Sequence, residues 1–158
     1  MALRGRSDEG IALIPAEPDS SVGVTFSSNL SLRLSSEAHA RAGNLREALA
    51  TIERVLFVIG KFHIDLPATL WWRGELRVRL GDRVGAATDF QQATELARRM
   101  GSKAHELRAT TSLARLLAKQ GKRDEARAML AEIYNWFTAD FDSTDLKDAK
   151  VLLDKLSA

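Results

Sequence analysis

GNLREAL, residues 43–49, has near copies elsewhere in the chain: GDRVGAA at 81–87, GKRDEAR at 121–127 and a fainter GRSDEGI at 5–11. Each begins with glycine, continues through a polar or basic turn and places a small residue five positions on: Gly10, Ala48, Ala86 or Ala126. The glycines Gly5, Gly43, Gly81 and Gly121 are spaced 38, 38 and 40 residues apart. Self-similarity at such a period marks a stacked-repeat architecture. The interval holds two helices and two short turns, so each unit is expected to be a helical hairpin. Glycine suits the corner because it adopts the left-handed conformation that closes a helix. The small fifth residue lets neighbouring helices approach closely.

Working outward, the second unit is predicted to carry helix A over 67–80 and helix B over 83–100. The third has helix A from an N-cap at Ser102 to Gln120 and helix B over 123–137. Apolar residues recur at helical spacing on the B helices: Ile52, Val55 and Leu56; Phe90, Ala93 and Leu96; Leu130, Ile133 and Phe137. A last helix over 145–156 follows the turn Asp142-Ser143-Thr144. Its stripe of Leu146, Ala149, Leu152, Leu153 and Leu156 is suited to closing the end of a repeat array. In the first unit, Asn29 is expected to cap a helix over 30–42. The expected organisation is a single domain over 1–158: a half repeat at 1–14, a loop at 15–28, repeats at 29–60, 66–100 and 102–138, and a capping helix at 143–158. About eight helices are expected in all. The array begins mid-hairpin at Gly5, which is expected to leave an exposed edge, as in a fragment.

Composition agrees with an all-α chain. It has 45% hydrophobic and 28% charged residues, with three prolines and one tyrosine, too few turn residues and aromatics for a β domain. There is no cysteine, which excludes disulfides and thiolate metal sites and suits a cytoplasmic location. The longest early apolar run, Ile11 to Ile14, is far too short for a signal peptide or membrane span. Net charge is +2, although the pI is about 9.1, so charge alone does not imply nucleic acid.

The glycine-to-alanine pattern, with Trp72 and Gly74 in LWWRGEL (70–76), resembles the tetratricopeptide repeat (TPR). This implies antiparallel hairpins stacked as a TPR-like solenoid. The period of 38–40 exceeds the usual TPR length of about 34 and implies longer hairpins. IYNWFTADFDSTDLKDA (133–149), with GRSDEGIALI (5–14) and RGELRVRLGD (73–82), further resembles the C-terminal region of large bacterial signalling proteins. Those join an adenylate or guanylate cyclase or a DNA-binding domain to a P-loop ATPase and then to TPR-like repeats. None of their catalytic motifs occurs here, for Gly121-Lys122 lacks both the leading glycine and the Ser/Thr of a P-loop. The resemblance implies a protein-interaction or regulatory module with the ATPase or cyclase domains among its partners.

No enzyme is expected. The sequence lacks a nucleophile elbow, a zinc-protease helix and a cysteine nucleophile. His39, His63 and His105 fall in separate hairpins, so no metal or other cofactor is expected.

A concave face lined by the A helices remains as the binding surface. Its equivalent positions are Arg33, Glu37 and Arg41; Trp71, Glu75 and Arg79; and Thr111, Arg115 and Lys119, spaced so that each set shares one helical face. Arg41, Arg79 and Lys119 form an expected cationic ladder, with Arg108 beside it and Trp71 as an apolar anchor. Such a row suits the carboxylates of an extended acidic peptide. The same residues also read as an ordinary solvated face with internal ion pairs. Two rivals stay open. One is a nucleic-acid-binding array, disfavoured by the interspersed glutamates and the single stacking residue. The other is self-association through the N-terminal edge. Trp72, with Leu76 and Leu80, is expected in the core, and Trp136 with Tyr134 and Phe137 is expected under the last helix.

Overall fold

The computed structural model describes residues 26–59, 64–137 and 141–158. The Gly5 corner, the half repeat at 1–14, residues 15–25 of the expected loop and His63 lie outside them. Seven helices are present among the described residues: α1 (Phe26–Arg41), α2 (Leu45–Val58), α3 (Leu66–Leu80), α4 (Arg83–Arg99), α5 (Lys103–Lys119), α6 (Arg123–Tyr134) and α7 (Thr144–Ser157). No strand occurs among those residues, and the chain is all-α.

The corners follow from glycine. Gly43, Gly81 and Gly121 have φ of +88°, +88° and +83°, as the repeat predicts, and Gly101 adds a fourth at +68°. At each, the glycine N–H bonds three residues back and the next N–H bonds five back. Asp82 N reaches Arg77 O at 2.9 Å, and Lys122 N reaches Leu117 O at 2.9 Å. This paired closure occupies the carbonyls that a helix end leaves open, and the next helix starts at once.

Two helices depart from the predicted bounds. α1 starts at Phe26, so Asn29 lies inside the helix instead of capping it, and residues 26–28 are helical, not loop. Its serine-rich sequence is a weak helix former, but packing overrides propensity: Leu32, Ser35, Ser36 and Ala40 are all buried. α6 stops at Tyr134, short of the expected Phe137. Ser102 holds the N-cap position of α5 without capping it, because its Oγ lies 2.7 Å from His105 Nδ1.

The residues divide into two compact units at Asp82 and Arg83. In unit 1, α2 packs against α1 and α3. Its core joins Leu32, Ala40, Ala48, Ile52, Val55, Ile59 and Leu76, with Trp72 partly buried against it. Ala48 is fully buried, as its small size requires. The close approach there lets the buried Ser36 Oγ donate to Ala48 O at 2.8 Å. Trp72 Nε1 donates to the same Ser36 Oγ at 2.9 Å, so one hydroxyl links α1, α2 and α3. Leu80 does not join Trp72 and Leu76 in the core and is 38% exposed at the end of α3.

In unit 2, α5 packs against α4 and α6, and α7 lies against both α5 and α6. Phe90, Ala93, Leu107, Ala114, Leu130 and Ala149 are almost fully buried, together with the two spacer alanines Ala86 and Ala126. Ser143 caps α7 by accepting from Leu146 N at 3.2 Å. Trp136 departs from its expected place under α7. It is half exposed and meets Phe137 edge-on at 5.1 Å.

Candidate interaction surface

Unit 1 carries six of the predicted surface residues. Glu37 and Arg41, one turn apart on α1, form a 3.6 Å ion pair. At their exposure such a pair contributes only a few tenths of a kcal/mol. Arg33 is half-buried in a narrow cleft beside Asp65 and Thr69. Trp71 is half-buried, its ring centroid 6.2 Å from that of Trp72, and Glu75 is half-buried one turn on. Arg79 does a different job from the one its place in the cationic ladder implies. Its Nη2 donates to Ala40 O at 3.1 Å, satisfying a carbonyl in the last turn of α1.

Unit 2 carries the other four. Arg108 turns to Asp145 at the start of α7, with Nη2 to Oδ2 at 2.8 Å and Nε 3.2 Å from both carboxylate oxygens. This forked contact fastens α7 to α5. Thr111 is 4% exposed and donates its hydroxyl to Leu107 O at 2.7 Å, so it leaves the predicted surface set. Arg115 and Lys119 remain, both exposed and one turn apart on α5, and neither pairs with a carboxylate among the described residues. The three cations expected to act alike are therefore distinct: Arg41 is ion-paired, Arg79 is tied to a helix end and Lys119 is open.

Sequence reasoning passed over one polar cluster. Glu106 sits in the core stripe of α5 at 3% exposure. Its carboxylate accepts from Arg98 Nε at 3.0 Å and from Lys103 Nζ at 2.8 Å. The hydrogen bond to Glu106 raises the Arg98 pKa above its ordinary value, outweighing the opposing effect of burial. A buried carboxylate needs such partners, and two cations on either side of the Gly101 turn supply them. The available signal was a glutamate four residues before Thr110 on a stripe otherwise apolar or small. Lys103 Nζ also lies 5.7 Å from the centre of the Trp136 ring.

Among the described residues there is no group of three or more His, Cys, Asp or Glu side chains placed to hold a metal ion. Nor is any helix there long and apolar enough to cross a membrane.

Residues 33–54 and 107–132 match a family model described as tetratricopeptide repeat. The matched segments run from α1 into α2 and from α5 into α6. Two crystal structures share the fold. One contains the nearly identical TPR-like repeats of a Podosopora anserina kinesin light chain candidate, with TM-score 0.71, 16% identity, and coverage of 97% of this chain and 75% of that one. The other is a single-substitution variant of those repeats, with TM-score 0.73, 16% identity, and coverage of 97% and 74%. The fold is TPR-like. At 16% identity the likeness to these structures is one of architecture. No curated protein sequence matches the chain. In TPR terms, the matched segments are two helix A–corner–helix B units, and their left-handed corners are Gly43 and Gly121.

Proposed function

We propose that this TPR-like chain is a non-catalytic, cytoplasmic protein-binding module whose unit 2 recognises an acidic peptide segment. The observation that carries the reading is the pair Arg115 and Lys119. Their side chains lie one turn apart on α5, exposed and without a carboxylate partner among the described residues. Of the other cations of the surface set, Arg79 and Arg108 hold helices together and Arg41 pairs with Glu37 on its own helix. An unpaired cation pair on a rigid helix is ready to meet carboxylates, and Arg supplies a planar fork for one of them.

The test is fluorescence anisotropy with a labelled peptide rich in Asp and Glu. Arg115→Ala with Lys119→Ala is expected to weaken binding about ten-fold or more, with a shallower dependence on salt. Alanine suits a helix interior and both sites are exposed, so the fold is retained. Binding equal to the parent's, or equal binding of a basic peptide, refutes the assignment.

The stretch IYNWFTADFDSTDLKDA supports a wider setting, the C-terminal region of a bacterial signalling protein of the cyclase, ATPase or regulator type. There the repeats would contact the ATPase or cyclase domains. An immunoblot of the native host tests this. A polypeptide several times larger than 17.4 kDa is expected, and a single band at 17.4 kDa refutes it.

A further inference from the structure

α2 presents two stripes. Leu45, Ala48, Leu49, Ile52, Val55 and Leu56 turn into the core of unit 1. The outward stripe, with Ala50, Arg54 and Phe57, borders an open groove of about 660 Å3 floored by Leu32. Phe57 is 90% exposed. The repeat does not call for a ring there, because the residues at the same distance from Gly81 and Gly121 are Glu95 and Asn135, both polar and exposed. An aromatic side chain held in water where its counterparts are polar, beside a groove, marks a contact surface.

The arrangement of this stripe selects the occupant. The small Ala50 lies seven residues before Phe57, two helical turns or about 10 Å along the axis. Between them, Glu53 and Arg54 set opposite charges side by side. Two α2 helices laid antiparallel about a two-fold axis between positions 53 and 54 bring each Phe57 over the other's Ala50. The same operation places each Arg54 opposite the partner's Glu53. Glu53 lies 3.8 Å from Arg77 and is half exposed, so it can take a second cation.

We infer that this face is an isologous dimer interface and that its occupant is a second copy of the chain. A two-fold contact needs one surface to carry both halves of every complementary pair. Here the ring, the small residue that admits it and both charges lie on one helix. The interface belongs to α2 and is separate from the cations of α5.

Sedimentation velocity on the full chain, from micromolar to near-millimolar concentration, tests it. Mass is expected to rise from 17.4 kDa toward twice that value. Phe57→Glu is expected to raise the dimer dissociation constant about a hundred-fold, since truncating a central aromatic anchor removes much of an interface's affinity. Arg54→Glu is expected to weaken the dimer, and combining it with Glu53→Arg to restore it, because the swap keeps charges opposite across the axis. Phe57 and Arg54 are exposed, and circular dichroism checks that each variant keeps its helices. Three outcomes overturn the inference. One is a monomer throughout the range. Another is a dimer unmoved by Phe57→Glu or not restored by the swap. The third is a monomer whose α2 amides lose protection in Phe57→Glu, which would mean that the chain covers this face itself.

Discussion

Ser36→Ala deletes one hydroxyl and is expected to loosen three helices. Ser36 is fully buried, donates to Ala48 O at 2.8 Å and accepts from Trp72 Nε1 at 2.9 Å. Each bond contributes about 1 kcal/mol net, so losing both costs about 2 kcal/mol. Trp72 is partly exposed, and water reaching its N–H keeps the penalty near that lower figure. Alanine is the better helix former and returns about 0.5 kcal/mol, leaving a net loss of about 1.5 kcal/mol. For a chain of this length that lowers the Tm by about 3–6 °C. Trp72→Phe breaks the Trp–Ser bond alone and gives up some ring area. Because both single variants break that shared bond, the double variant should cost about 1 kcal/mol less than the two losses added together. Urea denaturation of the four proteins, followed by circular dichroism, measures this coupling. Losses that add to within about 0.3 kcal/mol, or a Ser36→Ala variant as stable as the parent, would show that the link carries no energy.

At Gly121, φ is +83° and an added Cβ meets nothing within 4 Å, so the cost of alanine there is conformational. Gly121→Ala is expected to lose about 1–2 kcal/mol, and Gly121→Asn distinctly less, in the same denaturation assay. Equal losses would contradict the left-handed corner as the cause. Asp145→Asn removes the carboxylate charge that Arg108 meets on α7. Both groups are partly exposed, at 39% and 28%, so the loss is about 1 kcal/mol or less. It should appear as faster amide exchange in α7 with α4 unchanged, and unchanged exchange in α7 would refute the tie.

The sequence alone determined the periodic features. Glycine before a polar turn dictated the corners at Gly43, Gly81 and Gly121, because a left-handed φ is a local property of one residue. The spacer alanines and the stripes of Ile52, Phe90 and Leu130 were likewise legible, since the helical period puts them on one face without knowledge of what packs there. Tertiary structure decided what each polar side chain meets. Serine-rich α1 is helical because Ser36 finds Ala48 and Trp72, one of them 36 residues away. Arg79, Arg108 and Thr111 share the spacing of a surface face. Yet Arg79 serves the end of α1, Arg108 holds Asp145 and Thr111 is buried. Arg115 and Lys119 keep the exposure that their spacing suggested. Glu106 runs the other way, a charge on a core stripe made tolerable by Arg98 and Lys103. Periodicity fixes which face a side chain occupies. Its partner depends on which other helix is brought to that face, and that is set by three-dimensional packing.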